Sequence, residues 1–570
     1  MSPASLDHME QMRIEQSQPF VSQEEIREEE EGDEGEENSI ERKIDLSAVA
    51  ITSVKERRKP PLKEEEAKCA IKKAERKGLI AQSITNAVVI VLVTSCGMPI
   101  GYSAVLLPQL QSTNSTLPTD DEWASWIASV HSIATPIGAI LAGPMMDNWG
   151  RRLTLQLSLI PVIFGWLSMS VWPNHFLLLI GRVLGGFSVG MGLGTSQVLI
   201  GEISEPTLRG FFMSTPGAAY ALGILLVYAL GSRLHWRLVA CFGLVLPSIA
   251  AVALLFLPES PVWLVNKDRA DDARKSLLWL RGGHQAKVNH ELHMLIGHSK
   301  TERDKEEALK QETRDVTCAP VPRWWHIMTR PQVFKPFFIL LTFCLLQILT
   351  GSYVAIFYGV TLIASASNTP SQEYDCLSIA VMTALVRFVV SIITSWCLLR
   401  HGRRRIGLIS GVGTAMATSC LVAFLYYKSL PGVQPLPNTR DTKIIAGLIM
   451  VYVAMNTFGI FSLPCLMIGE VLPSNVRGSV SGVMHSLINL MIFTTTKLYP
   501  SVAAILGPIG VFTAFTIVSL ITTVYIYLFL PETKNRPLTQ IEEYFAEGKN
   551  YLWQNRDKEL TRRKADTIKL

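Results

Sequence analysis

Charge is scarce in this sequence. Only 18% of the 570 residues are charged, 48% are hydrophobic, and the mean hydropathy is +0.27. Most of the charge lies near the amino terminus, in a central stretch from 267 to 330, after Lys534 and in short breaks between apolar runs. The rest of the chain is too apolar for an ordinary soluble protein of this length, so the composition predicts a membrane protein.

Paired cysteines and enzyme motifs are also lacking. The nine cysteines show no paired spacing, so no structural disulfide is expected, and Cys376 alone lies near a predicted external loop. No nucleotide-binding loop, metal-ligand cluster or nucleophile triad occurs in the sequence. An enzyme, an ATP-driven pump, a bound cofactor or metal and a nucleic-acid partner are therefore not expected.

The amino-terminal segment 1–79 is predicted to be a disordered cytosolic tail. It has no apolar core of the kind that a cleavable signal peptide needs. The run Glu24–Glu37 is almost wholly acidic, which prevents it from packing into a core. The basic stretch Lys55–Lys77 either contacts anionic lipid headgroups or is a solvated flank of the first membrane span.

Twelve apolar segments are long enough to cross a bilayer, which takes about 20 mostly apolar residues for roughly 30 Å of hydrocarbon. They lie near 83–107, 126–146, 153–172, 176–200, 211–231, 236–257, 334–363, 377–399, 406–427, 444–468, 479–499 and 507–530. With the amino terminus in the cytosol, the arginine-rich breaks between spans fall on the cytosolic side, as the positive-inside rule requires. The carboxyl terminus is then cytosolic as well.

The spans predict two bundles, a linker between them and a second tail. These cover 80–264 (first six-helix bundle), 265–332 (cytosolic linker), 333–531 (second six-helix bundle) and 532–570 (cytosolic tail). Stretches 268–281 and 302–314 are charged nearly all round and predict short linker helices. The first external loop contains Asn114 in the pattern Asn-Ser-Thr, a candidate N-glycosylation site.

Three charged motifs occur twice and in the same order. They are Gly150-Arg151-Arg152 and Gly402-Arg403-Arg404, the equally spaced pairs Glu202 with Arg209 and Glu470 with Arg477, and Pro258-Glu259-Ser260 and Pro531-Glu532-Thr533. The copies are offset by roughly 250 to 270 residues and lie in polar breaks between apolar runs, as expected of a repeated helical bundle. The two bundles are therefore predicted to be copies of one another.

The chain resembles the sugar porter branch of the major facilitator superfamily over about 83–545. The resemblance rests on Gly143–Arg152, Gly181-Arg182, Pro258–Leu264, Pro531–Asn535 and Phe545, and the segments Ser125–Ser129 and Met467–Pro473 are most similar to insect facilitated trehalose and glucose transporters. It implies an all-α integral membrane fold of twelve transmembrane helices in two six-helix bundles. It also implies transport of a small polar solute by alternating access.

Charged residues at the cytosolic helix ends are candidate gate residues. Two rocking bundles need contacts that hold one side closed and then release it. The candidates are Asp147, Arg151, Arg152, Glu202, Arg209, Arg403, Arg404, Glu470 and Arg477. The alternative is that these residues only set topology and cap helices. The second half departs from the pattern, because Leu399 stands at the position that corresponds to Asp147.

Polar and aromatic residues within the spans are candidates for a solute pocket. Sugars are held by amides, hydroxyls and aromatic faces in a mostly apolar cavity. The candidates are Gln347, Thr350, Tyr353, Tyr358, Arg387, Thr457, Cys465 and Asn489. Each could equally pack or form hydrogen bonds between helices. Compared with sugar porters, a second glutamine is replaced by Ile348, an asparagine by Tyr353 and a tryptophan by Cys465.

Arg387 differs from the other candidates because it lies midway along predicted span eight. A charge at that depth costs about 2.5 to 3.5 kcal/mol on insertion scales and normally faces a cavity or a partner. This arginine therefore either binds solute or braces a helix. His131, His485 and Lys497 are interpreted as polar contacts between helices or as snorkelling side chains.

Energy coupling is predicted from span one. Proton-coupled relatives have an aspartate directly after a Gly-Tyr pair, where this chain has Gly101-Tyr102-Ser103. A serine hydroxyl does not titrate in the useful range, which predicts facilitated diffusion of a hexose or a trehalose-like disaccharide across the plasma membrane. Two alternatives stay open: a facilitator of a non-sugar organic solute, and a nutrient sensor that signals through tail-binding cytosolic partners and barely transports.

Overall fold

The protein is helical throughout its described parts. The computed structural model describes residues 62–111, 117–314, 331–367, 374–430, 438–472, 477–533 and 545. No strand occurs in these ranges, so the predicted all-α class is confirmed. Residues from Glu66 onward form one compact unit, which contains all of the contacts given below.

The first half of the chain, up to the linker, is described as seven helices. They are α1 (Leu62–Leu110), α2 (Asp121–Trp149), α3 (Arg151–Val171), α4 (His175–Ile203), α5 (Pro206–Gly231), α6 (Trp236–Gly243) and α7 (Val245–Leu254). Three further helices belong to the linker region and correspond to the predicted linker helices and the turn before them: α8 (Pro261–Asn266), α9 (Ala270–Leu280) and α10 (Gln285–Arg314).

The second half begins after the linker and contains more interruptions. Its described helices are α11 (Pro331–Leu349), α12 (Val354–Phe357), α13 (Gly359–Ser367), α14 (Tyr374–Arg400), α15 (Arg403–Ser429), α16 (Asn438–Asn456), α17 (Leu463–Val471) and α18 (Arg477–Phe529). A π-helical turn, Thr457–Phe461, joins α16 to α17. π-helical turns are rare in proteins, and those that do occur are often found at functional sites.

Ten helices within the described ranges are long and apolar enough to cross a membrane. One of them, Val480–Phe529, is interrupted at Gly507, whose φ of 63° and ψ of 177° are not helical. The sequence predicts two separate spans at that place, ending near 499 and beginning near 507. A shorter apolar helix, Val333–Leu349, starts the predicted seventh span. The total of twelve spans and the sides of the two termini stay predictions.

Helix α1 begins at Leu62, inside the segment that the sequence predicts to be disordered. Its first turns are rich in Glu, Lys and Ala, which are strong helix formers. About three turns further on, α1 packs on the linker, where Gly282 has a φ of 63° and a Cβ at this position would collide with the Ala74 carbonyl oxygen. The Gln82 amide donates to the Leu280 carbonyl oxygen at 3.3 Å. Residues 1–61, with the acidic run, lie outside the described residues.

Among the described helices, the main contacts between the halves are made by α2 packing on α18 and by α5 packing on α14. The Ser125 hydroxyl donates to the Lys497 carbonyl oxygen at 3.4 Å, and the Ser395 hydroxyl donates to the Ser214 carbonyl oxygen at 3.4 Å. Short connections make consecutive helices antiparallel, so the beginnings of α2 and α5 lie at opposite ends of the first half. The halves therefore contact each other at both ends of the interface.

Candidate functional site

The predicted seventh span is broken in its middle, between α11 and α12. Gly351 has a φ of 85°, and a Cβ at this position would lie 2.5 Å from the Phe515 ring. Positive φ and close approach both favour glycine, because it has no Cβ to clash. The break therefore holds the chain in a non-helical turn against α18, at the place where the sequence predicts the solute pocket.

Hydrogen bonds from α16 fasten this turn. The Asn456 amide donates to Thr350 Oγ1 at 3.1 Å and accepts from the Ser352 hydroxyl at 2.7 Å. The Tyr452 hydroxyl donates to the Thr350 carbonyl oxygen at 2.8 Å. Thr350 Oγ1 also donates to the Gln347 carbonyl oxygen at 2.6 Å. The Thr350 hydroxyl, a candidate pocket group, is thus already engaged in holding the break.

Gln347 lies less than one turn before the break. It is 3% exposed, and its side-chain amide forms no hydrogen bond within the described part of the chain. An amide has donor and acceptor atoms that need partners when they are removed from water. The Gln347 amide is therefore available to a polar ligand without breaking a hydrogen bond of the fold.

Two tyrosines follow the break and have different surroundings. The Tyr353 ring lies 5.7 Å from the Phe461 ring of the π-helical turn. The Tyr358 hydroxyl donates to the Thr496 carbonyl oxygen at 3.2 Å, and its ring lies 5.0 Å from that of Tyr499. Tyr358 therefore braces the broken span on α18, while Tyr353 belongs to an aromatic group near the interface of the halves.

The remaining pocket candidates bond to their own helices. The Thr457 hydroxyl donates to the Val453 carbonyl oxygen at 2.7 Å, and the Asn489 amide donates to the His485 carbonyl oxygen at 2.8 Å. Thr457 is fully buried, whereas Asn489 is half-buried. The side chain of Cys465 lies outside the described residues.

Arg387 is buried where the two halves meet. It is 4% exposed, and its guanidinium carbon lies 5.2 Å from the centre of the Phe461 ring. Its Nη1 atom has no hydrogen-bond partner among the described residues. Cation–π attraction stabilises the charge in part. The structure thus brings Arg387, Tyr353 and the π-helical turn together.

A cluster of charged residues joins three helix ends of the first half. Arg151 Nη2 lies 2.9 Å from Glu202 Oε1, and both side chains are mostly buried. Glu259 accepts from the main-chain nitrogen of Arg151 at 3.0 Å and from that of Arg152 at 3.1 Å. Its carboxylate therefore caps the start of α3 and offsets the positive end of the helix. The Ser260 hydroxyl donates to Glu202. We call Arg151, Glu202, Glu259 and Ser260 the first charge cluster.

The second half repeats this arrangement atom for atom in its main contacts. Arg403 Nη2 lies 2.6 Å from Glu470 Oε1, and Glu532 accepts from the main-chain nitrogen of Arg403 at 3.0 Å and from that of Arg404 at 3.2 Å. The Thr533 hydroxyl donates to Glu470 at 2.5 Å. We call Arg403, Glu470, Glu532 and Thr533 the second charge cluster. Each cluster fastens the end of one helix to the start of an earlier helix and to a later segment of the same half.

Some gate candidates have other partners than the sequence suggested. Glu202 pairs with Arg151, while the Arg209 side chain is exposed and makes no ion pair in the described ranges. Asp147 is 79% exposed and its Oδ1 lies 4.0 Å from Arg151 Nη1, so that contact is weak. The side chain of Arg477 lies outside the described residues, as does Asn114.

Comparison with known proteins decides the family. The model of the family described as sugar (and other) transporters matches residues 85–545. The chain belongs to this transporter family. A facilitated trehalose transporter, Tret1, of Apis mellifera ligustica is 29% identical over 460 residues, covering 80% of this chain and 87% of the relative. Tret1 of Culex quinquefasciatus is 28% identical over 488 residues, covering 85% and 87%.

Solved structures give the fold of this transporter. The proton:xylose symporter XylE bound to 6-bromo-6-deoxy-D-glucose aligns with a TM-score of 0.64 and 17% identity, covering 81% of this chain and 100% of that one. A partially occluded inward-open form of the xylose transporter XylE from E. coli aligns with a TM-score of 0.63 and 15% identity, covering 80% and 99%. The predicted major facilitator fold is confirmed.

Sequence reasoning missed the role of Arg182 in this transporter. Its guanidinium is fully buried in α4, donates to Ser103 Oγ at 2.5 Å and to the Ile127 carbonyl oxygen at 3.0 Å, and also bonds to the Pro99 and Ala128 carbonyl oxygens. No carboxylate pairs with it in the described ranges. Its depth in α4, two turns from His175, was the available signal, because buried charges are costly.

Proposed function

We propose that this transporter carries a sugar, a hexose or a trehalose-like disaccharide, by facilitated diffusion across the plasma membrane. The observation that carries the proposal is the broken seventh span at the junction of the halves, with the Gln347 amide unengaged beside the break. Membership of the sugar (and other) transporter family and the names of the trehalose-transporting relatives support the substrate class. Solutes bind at such junctions in transporters made of repeated bundles.

The surroundings of Ser103 support the facilitative mode. A proton-coupled carrier needs a buried acid that takes up and releases a proton during the cycle. Here the buried guanidinium of Arg182 is bound by a serine hydroxyl and three main-chain carbonyl oxygens. Neither a serine nor an arginine titrates near neutral pH. Solute flux through this carrier should therefore not be driven by a proton gradient.

The two charge clusters are proposed as cytosolic latches of each half rather than as ion pairs between halves. Each cluster joins the end of a span to the start of a neighbouring span and to the segment after the sixth span of its half. A half that is fastened in this way can rotate as a rigid body, which alternating access requires. The positive-inside rule places these arginine-rich ends in the cytosol.

Uptake into proteoliposomes tests the proposal. Purified protein would be reconstituted and supplied with labelled trehalose, glucose or another hexose, with protein-free liposomes as the control. Saturable uptake that stops at equal concentrations inside and outside supports facilitated sugar transport. Uptake of none of these sugars would contradict it and would favour a sensor or a carrier of another solute. A variant without residues 1–61 would distinguish a signalling role of the tail from transport.

A further inference from the structure

Within the described residues Arg387 has neither an ion pair nor a hydrogen bond at its Nη1 atom, which sets it apart from the other buried charged side chains there. Among described residues, the buried charged side chains are Arg182, Arg281, Arg387 and Asp441. Arg281 pairs with Glu291 at 2.7 Å, and Asp441 pairs with Lys428 at 3.5 Å. Arg182 donates to four oxygen atoms. Arg387 has no ion pair, and its Nη1 atom has no hydrogen bond in the described part of the chain.

Aromatic residues from both halves surround this guanidinium. Tyr220 and Tyr228 of α5 and Tyr353 and Tyr452 of the second half are close enough to interact with it electrostatically, and Phe461 supplies the ring face. The Tyr228 hydroxyl already donates to the Ile356 carbonyl oxygen at 2.6 Å, and the Tyr452 hydroxyl donates to the Thr350 carbonyl oxygen. Both O–H groups therefore donate to the main chain, and uncharged tyrosines do not balance the charge of the guanidinium.

The position of Arg387 makes it reachable during the transport cycle. Helix α14, which carries it, packs against α5 of the other half. In this structure the halves contact each other at both ends, and the rings close over the guanidinium. Because the surrounding rings belong to two halves that separate in alternating access, their separation would expose the charge to a solute that enters between the halves.

We propose that the solute carries a carboxylate, as in a uronic acid, and that Arg387 binds it. A guanidinium presents a planar fork of donors that matches a carboxylate in a bidentate contact. The aromatic faces around it suit the apolar faces of a sugar ring. The single positive charge of the guanidinium balances the single negative charge of a carboxylate. It does not balance a phosphate, which carries about −1.5 to −2 charges at neutral pH. This inference rests on the proposed function, because it names the class of sugar that the same cavity takes.

The first experiment needs no variant. Inhibition of labelled-glucose uptake into proteoliposomes would be measured with unlabelled glucuronate, glucuronamide and glucose. Glucuronate and glucuronamide differ only in one terminal group, which is a charged carboxylate in the first and an uncharged carboxamide in the second. Comparison of the two therefore isolates the effect of the carboxylate. Glucuronate should inhibit at a concentration at least about tenfold lower than glucuronamide, because hydrogen bonds to a charged partner are the stronger ones. Equal inhibition by the two compounds would overturn the inference.

The membrane potential provides a second signature of an anionic solute. In a uniporter, each 100 mV of inside-positive potential should raise the equilibrium ratio of inside to outside labelled glucuronate about 50-fold. Labelled glucose in the same vesicles should show no such change, because it carries no charge. A glucuronate ratio that ignores the potential would contradict transport of the anion.

Variants then test whether the stronger inhibition by glucuronate than by glucuronamide depends on the Arg387 side chain. Arg387→Gln should abolish the advantage of glucuronate over glucuronamide, and Arg387→Lys should retain part of it. Arg400→Gln is the matched control, since Arg400 lies on the same helix and its guanidinium carbon sits 4.4 Å from the exposed Trp396 ring. An advantage that survives in Arg387→Gln would show that Arg387 only braces the helix against Phe461. If this variant does not fold, the comparison in the unmodified protein still decides.

The two proposals fail in different ways. If glucose is carried but glucuronate and glucuronamide inhibit equally, the protein is a carrier of neutral sugars and only the anionic preference is wrong. If neither neutral nor acidic sugars are carried or compete, the proposed sugar transport is wrong, and the preference for an acidic sugar is wrong with it.

Discussion

Replacement of Gln347 by alanine separates ligand binding from stability of the fold. The Gln347 side-chain amide makes no hydrogen bond in the described structure, so its removal breaks no hydrogen bond of the protein. A ligand that uses the amide loses one hydrogen bond, worth about 0.5 to 1.5 kcal/mol, and leaves a polar group of its own unpaired. Together these effects correspond to roughly tenfold weaker apparent affinity. The melting temperature should change little.

Asn456→Ala is the matched comparison for this prediction. Asn456 bonds to Thr350 and Ser352 and holds the break of the seventh span. Its loss leaves two buried hydroxyls with fewer partners and should destabilise the protein by about 1 to 3 kcal/mol. The assays are concentration-dependent sugar uptake in proteoliposomes and thermal melting of the purified protein. An unchanged apparent affinity in Gln347→Ala, or a melting temperature that falls as far as in Asn456→Ala, would refute the reasoning.

Three further predictions concern the clusters, the break and the coupling. Glu202→Ala leaves the mostly buried Arg151 without its carboxylate partner and should lower stability, measured by thermal melting, by about 2 to 3 kcal/mol. Asp147→Ala removes an exposed carboxylate and should lower stability by less than about 1 kcal/mol in the same assay. Gly351→Ala should abolish uptake, because it adds backbone strain at a φ of 85° and a clash with the Phe515 ring. Gly447→Ala, at an open site in α16, is the control and should leave uptake intact. An imposed proton gradient should leave the final sugar ratio at one; accumulation that a protonophore abolishes would contradict this.

The duplicated motifs made much of the two charge clusters predictable from the sequence. Their spacing placed Arg151, Glu202 and their second-half counterparts at neighbouring helix ends, where the structure brings them together. Which arginine pairs with which glutamate was harder to predict from the sequence, because the pairing depends on which helix ends meet in space. Arg209 follows Glu202 closely in sequence, yet Glu202 pairs with Arg151, which lies 51 residues away.

Local breaks and buried contacts could be predicted less well. Gly351 and the π-helical turn lie within apolar runs that were each predicted as one continuous span, because apolar periodicity does not report a change of φ at one residue. The role of Asn456 was likewise hidden, since an asparagine in a span has many possible partners. Arg182 carried a visible signal, namely its charge two turns inside an apolar helix.

Net sugar uptake by the purified protein tests the central claim most directly. Proteoliposomes that contain the protein should take up labelled trehalose or a hexose with saturable kinetics until the inside and outside concentrations are equal, with no response to a proton gradient. Preloading the vesicles with unlabelled sugar should accelerate the uptake of label by exchange. Absence of saturable uptake for every neutral and acidic sugar tested, with protein of normal melting temperature in the vesicles, would contradict the account.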